Sequence, residues 1–251
     1  MTGKIAGIYR YPVKGLSADA LASVNVTPGE TLPFDRAWAI ENGPSRFDPE
    51  APAHLPKVAF LMLMRDERLA TLEARFDQEN RRLTLLRGGR QVAGGDLTAR
   101  SGRQIIEQFL GAYMRESLRG PPRILSAEGH SFSDTRAKRL HIVSRASVRE
   151  LERVMGRAVD PLRFRPNLIV DGLAPWSEME WVGREISAGP VRLRIAKRTD
   201  RCAATNVDPQ TGTRDMDIPA VLQREWGHID FGVYAEVMSA GRLSVGDPLT
   251  V

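Results

Sequence analysis

Lys4-Ile-Ala-Gly-Ile-Tyr-Arg-Tyr11 alternates apolar and polar side chains, the two-residue period of a half-buried strand. Leu21-Ala-Ser-Val-Asn-Val-Thr27 does the same, with Pro12, Gly15 and Ser17 marking a turn between them. Outward from this pair, a third strand is expected near Arg36–Glu41. Residues 57–68 run apolar and then charged, which predicts a short helix. Residues 71–76 and 81–86 flank Asp77-Gln-Glu-Asn80, a hairpin signal. Ile105, Ile106, Phe109, Leu110 and Tyr113 recur at helical spacing and predict a helix over 102–118. Gly120-Pro121-Pro122 ends it and is the expected domain boundary, giving units 1–122 and 123–251. The second unit predicts strands near 139–143, 167–171, 184–188, 190–197, 231–238 and 242–250. It also predicts one helix, from Ser144 as N-cap through Met155, with Gly156 after it. Many short strands and few helices predict a mainly β chain (α+β class) with barrel-like architecture in both halves.

Composition narrows the function. With 251 residues, 42% hydrophobic and 27% charged, the chain has a globular composition, not a collagenous or disordered one. The longest apolar run, Val58–Met64, is far short of the ~18 residues of a membrane helix. Met1-Thr-Gly-Lys-Ile has no signal-peptide core, so a cytoplasmic location is expected. One cysteine, Cys202, excludes an intrachain disulfide and a multi-cysteine metal site. The four histidines, His54, His130, His141 and His228, lie far apart, with no helical zinc spacing. Any metal would have to bring its own ligands. The 36 basic residues outnumber 31 acidic ones, and all but five of the 36 are arginine. They are scattered and the aromatic content is 6%, so a nucleic-acid partner is not expected.

Several short stretches carry candidate chemistry. Cys202 is flanked by Lys197, Arg198 and Arg201, cations that favour thiolate over thiol. A buried, inert cysteine is an equal reading, and a Cys–His hydrolase is a third. Arg163-Phe-Arg-Pro-Asn167 sets two arginines and an amide at a strand mouth. Pro166 there is expected to bias Arg165 toward an extended backbone. Lys14 beside Gly15, and Arg36 beside Asp35, suit an anion or an ordinary turn and ion pair. Glu178 and Glu180 read as an acid–base pair or as solvated loop acids. Dinucleotide, Walker, nucleophile-elbow and H-E-x-x-H motifs are absent from the sequence.

Order and spacing together give a resemblance to the MOSC family, named for the C-terminal domain of molybdenum cofactor sulfurase. Its carriers are Tyr11-Pro-Val-Lys14, Asp35-Arg-Ala-Trp38, Phe132-Ser-Asp-Thr135, Ser144-Arg-Ala-Ser147, Arg163–Asn167, Arg201-Cys-Ala-Ala-Thr-Asn-Val-Asp-Pro-Gln-Thr-Gly212 and Val245-Gly-Asp-Pro248. The two-unit arrangement is similar to the mitochondrial amidoxime-reducing component and its bacterial relatives. The resemblance implies an N-terminal β-barrel module followed by a MOSC β-barrel. It also implies a pterin-held molybdenum cofactor completed by Cys202, since a thiolate is a soft, strongly donating ligand. Lys14, Arg36, Arg165 and Asn167 match cofactor-binding positions, with Asp134, Thr135, Ser144 and Arg201 as further contacts. Asp208 would orient a proton or water, or simply cap its turn. Gly15 and Asp200 depart from the serines common in the family. The implied activity is reduction of amidoximes, hydroxylamines and N-hydroxylated bases. Electrons would come from a separate ferredoxin, flavin reductase or cytochrome b5-like protein. Zinc, an iron–sulfur cluster, pyridoxal phosphate and a membrane are not expected. A carrier of the cofactor, or of sulfur as a Cys202 persulfide, is the alternative.

Overall fold

A computed structural model of the chain describes residues 2–251. Fifteen strands and three α-helices follow in the order β1 (Thr2–Arg10), β2 (Asp19–Leu21), β3 (Ser23–Val26), β4 (Ala39–Glu41), β5 (Glu73–Asp77), β6 (Arg82–Arg87), β7 (Arg90–Asp96), α1 (Arg100–Tyr113), β8 (Arg123–Leu125), β9 (Leu140–Ser144), α2 (Arg145–Met155), β10 (Leu168–Asp171), β11 (Glu185–Ala188), β12 (Val191–Asp200), α3 (Ile218–Trp226), β13 (Asp230–Val237), β14 (Gly241–Ser244) and β15 (Pro248–Thr250). Among the described residues no helix is long and apolar enough to cross a membrane.

The alternation of the opening stretch has a specific use. β1 pairs antiparallel with β10 along one edge and with β15 along the other. It thereby closes a seven-stranded barrel in the order β10-β9-β13-β12-β11-β15-β1, and closure removes the free edges of the sheet. Ile5 and Ile8 point into its core beside Leu168, Val170, Leu193, Val233 and Leu249. Only β9 and β10 run parallel, with α2 as their crossover. A second core joins α1 to the three-stranded sheet β5-β6-β7 through Ile106, Leu110, Leu83 and Leu85.

The mainly β architecture with a closed barrel is as expected, and the hydrogen-bonded pairings place that closure in one sheet. Among the described residues one barrel closes, and the first half gives it the nine-residue strand β1. β2 extends the same sheet beside β1, β3 and β4 pair with β14 and β8, and β5-β6-β7 form a small open sheet. β1 therefore crosses the division expected at Gly120–Pro122. Other differences are local. Residues 57–68 form two single helical turns, Lys57–Ala59 and Glu67–Thr71. Between them Phe60 and Leu61 pair with the β4 backbone, so sheet hydrogen bonds claim the apolar run. The strand expected over 242–250 breaks into β14 and β15 at Gly246, whose φ of +97° suits a residue without Cβ. β7, β8 and α3 gave no clear sequence signal. α3 is only nine residues long, begun by the Asp217 carboxylate accepting from Ala220 N–H.

Candidate functional site

A cavity of about 390 Å³ lies between the two cores. Lys14, Arg36 and Met62–Met64 line it from the first half, and Asp134, His141, Arg165, Arg201, Cys202 and Tyr234 from the barrel side. Backbone bonds fix the first-half cations: Lys14 N–H donates to Trp38 O at 2.8 Å and Arg36 N–H to Tyr11 O at 2.7 Å. The Tyr11 ring then carries both arginines, with the guanidinium carbons of Arg165 and Arg36 4.1 and 4.5 Å from its centroid.

Both of these arginines hold left-handed backbones, Arg36 at φ +53° and Arg165 at φ +52°. For a non-glycine residue this conformation costs about 1–3 kcal/mol. The extended backbone expected at Arg165 is thus corrected. Proline disfavours the right-handed helical region for the preceding residue, and Arg165 ends the helical turn Pro161–Phe164 in the left-handed one instead. The strain aims its side chain across the cavity, where Nη1 donates to Leu16 O at 2.8 Å.

Charge is unbalanced here. Eight Lys and Arg residues line the cavity against three aspartates, Asp35, Asp134 and Asp200. Burial weakens the cationic form of Arg165, which is lowered to about 10. Burial likewise pulls Arg201 down, partly offset by Tyr234 and Cys202. Lys14 Nζ donates to Phe132 O at 2.8 Å and pairs with Asp134. Burial lowers the Lys14 pKa, against the pull of Asp134. At Asp134 burial raises the carboxyl, but Lys14, Lys57 and Arg36 outweigh it and hold the group at about 2. Burial and the Arg201 charge keep His141 well below its ordinary pKa and hence neutral.

Four buried polar atoms on residues lining this cavity have no protein partner: Arg165 Nη2, Arg201 Nε, Arg163 Nε and Thr199 Oγ1. A buried donor left unpaired costs about 1–3 kcal/mol, so such a set points to a ligand rich in acceptors. Cys202 stands half-buried beside Arg201, and its carbonyl accepts from Thr205 N–H and Oγ1 at 3.1 and 3.0 Å. That turn fixes the thiol at the end of β12. Among the described residues no group of three or more His, Cys, Asp or Glu side chains is placed to hold a metal ion. One thiol, many cations and unpaired donors suit a metal carried by an anionic organic group.

The structure brings together Lys14, Arg36, Asp134, Thr135, Arg165, Asn167, Arg201 and Cys202. Asn167 is largely spoken for by strand pairing. Its Oδ1 accepts from His141 N–H at 3.0 Å and its Nδ2 donates to Tyr9 O at 3.1 Å. Ser144 is a correction. It is fully buried where β9 enters α2, outside the lining, and its hydroxyl has no partner and caps nothing. Asp208 also lies outside the lining. It accepts from Gln210 and Thr211 N–H at 2.9 and 2.8 Å and from Arg163 at 3.0 Å, the turn-capping role. Glu178 is no solvated loop acid, being fully buried with its carboxylate on Ser147 Oγ at 2.7 and 2.9 Å. Sequence reasoning missed His141, Tyr234, Arg139 and Thr199. A signal existed for His141, an ionisable residue inside the wholly buried strand Leu140–Ser144. Tyr234 faces His141 in register across β13 and β9, which only the pairing reveals.

Known proteins resemble parts of this chain. The MOSC domain family model matches residues 127–250. Mitochondrial amidoxime-reducing component 1 of Mus musculus is 30% identical over 120 residues, 43% of this chain and 35% of that protein. Mitochondrial amidoxime reducing component 2 of Bos taurus is 32% identical over 120 residues, again 43% and 35%. Molybdenum cofactor sulfurase of Drosophila grimshawi is 32% identical over 118 residues, 44% of this chain and 15% of that protein. The chain thus spans about a third of the length of the amidoxime-reducing relatives it matches. Among solved structures, the YUAD protein of Bacillus subtilis aligns over 99% of this chain and 94% of its own, at 13% identity and a TM-score of 0.46. The barrel wall carrying His141, Arg165, Arg201, Cys202 and Tyr234 falls inside the matched residues, and the second half of this chain, residues 127–250, belongs to the MOSC domain family.

Proposed function

We propose that this chain binds a pterin-held molybdenum cofactor in the cavity and reduces N-hydroxylated compounds with electrons from a separate protein. The observation that carries the reading is the set of unpaired buried donors around a single half-buried thiol. Relatives named for amidoxime reduction and for molybdenum cofactor sulfuration support it.

In this reading Cys202 is the protein ligand to the metal, a soft sulfur donor beside the Arg201 guanidinium. Arg165 and Arg36, stacked on Tyr11, present fixed forks to phosphate oxygens. Lys14 adds a point charge oriented by Asp134 and Phe132 O. Neutral His141 backs Arg201, its Nε2 lying 3.4 Å from Nη1. When bound, the cofactor supplies the two-electron chemistry that takes oxygen from an N–OH group as water. A small N-oxygenated substrate would enter between the Met62–Met64 wall and Tyr234, beside the thiol.

The test is molybdenum and pterin content in protein from a cofactor-competent host, beside Cys202→Ser. Near-stoichiometric metal in the parent, at least about tenfold less in the variant, and turnover of an amidoxime with reduced viologen are expected. Metal-bearing protein without turnover would point to a cofactor carrier instead. Metal-free protein that takes up no cofactor on reconstitution would overturn the reading.

A further inference from the structure

The turn that carries Cys202 is held from outside by one side chain absent from the cavity wall. Arg214 Nη1 donates to Ala203 O at 3.1 Å, the carbonyl of the residue directly after the cysteine. Its Nη2 reaches the opposite half of the molecule, donating to Met64 O at 2.8 Å and Leu63 O at 3.3 Å and pairing with Glu67 at 3.0 Å. Leu63 and Met64 line the cavity, as do Cys202 and Ala204. One planar guanidinium therefore spans the seam between the two walls at the thiol end. The adjoining loop is seated on the same place. A Cβ on Gly212, at φ +72°, would lie 2.9 Å from Thr71 Cγ2 and 3.0 Å from Glu67 O. From behind, Arg163 holds the same turn through Asn206 O at 3.3 Å and Asp208 at 3.0 Å.

We propose that Arg214 is a positioning residue that clasps the Cys202 turn to the Leu63–Glu67 wall and so sets the width of the cavity at the thiol. Its five donors in a fixed fork explain why arginine serves here, since four acceptors on two chain segments must be met at once. The clasp concerns the walls and the thiol and does not depend on which cofactor or substrate enters.

The test uses the full chain made in a host that cannot synthesise pterin cofactors, so the thiol is free whether or not the functional reading holds. Cys202 is alkylated with iodoacetamide and, separately, with a bulky fluorescein maleimide. Arg214→Met is expected to raise the bulky-to-small rate ratio by about tenfold, the factor carried by one charge-assisted hydrogen bond. Arg214→Lys should restore part of the selectivity, and Glu67→Gln, which removes one anchor only, should give a smaller rise. An unchanged ratio in folded Arg214→Met overturns the proposal. So does an equal rise in both rates, which marks loss of structure, not a widened seam. Should Arg214→Met fail to fold, an unchanged ratio in Glu67→Gln and Arg214→Lys overturns it equally.

Discussion

At Lys14 and Asp134 a buried ammonium faces a carboxylate across the cavity wall. Removing an ammonium from water opposes its charge, and the facing carboxylate opposes that loss. The Asp134 carboxyl drops from its ordinary 3.8 to about 2 in the fold. Because the folded value is depressed, the unfolded chain binds the proton first as pH falls. The stabilisation is present above about pH 4 and disappears toward about pH 2. Asp134→Asn should therefore melt lower than the parent at neutral pH. The gap should close as acid protonates Asp134, which a series of melting curves from neutral pH downward would show. A constant gap across that range would mean the pair has no electrostatic role. The Asp134 side chain is 56% exposed, so solvent screens the pair and the effect should be modest.

Among the elements, β13 links the barrel to the cavity. Gly232 holds φ +78°, and a Cβ there would sit 2.5 Å from Ile142 O and 2.8 Å from His141 Nε2. Its neighbours Val233 and Tyr234 pair with Ile142 and His141 of β9. Gly232→Ala should cost about 1–3 kcal/mol or more, from positive φ and backbone overlap together. Chemical denaturation would measure this. The substitution should also displace His141 from Arg201 and weaken ligand binding in whatever protein still folds. An alanine variant as stable as the parent would show that β13 can shift freely. α2 illustrates the opposite economy. It starts without a side-chain cap: the Ser144 hydroxyl has no partner, and the first-turn hydroxyl of Ser147 donates to buried Glu178.

For the whole molecule, the decisive contact is the return of the chain end to its beginning. β1 fills the gap between β10 and β15, the barrel core includes Ile5 and Ile8, and the cavity takes Lys14 and Arg36 from the same half. A fragment of residues 123–251 would lack all of these and expose two open strand edges. It should fail to give a cooperative melt and should aggregate, while a mixture with residues 1–122 should recover solubility if the halves can still associate. A monomeric, cooperatively melting fragment would show that β1 is dispensable to the barrel.

Local pattern was sufficient for most elements. Alternation marked β1 and β3, helical spacing marked α1, and the Asp77–Asn80 turn marked the β5–β6 hairpin, because these signals rest on contacts within a few residues. The thiol and four of the cavity's cations were legible too, since Cys202, Lys14, Arg36, Arg165 and Arg201 each stand in a short, ordered stretch. The sequence by itself thus determined a mainly β chain with one thiol among arginines. Only the tertiary structure decided that a single barrel closes, that β1 crosses the Gly120–Pro122 division, that Ser144 and Asp208 lie outside the cavity lining, and that His141 and Tyr234 belong to it. The reason is physical: strand partnership and the side of a wall a residue faces are set by pairings more than a hundred residues apart, and alternation fixes two faces without saying which neighbour each will meet.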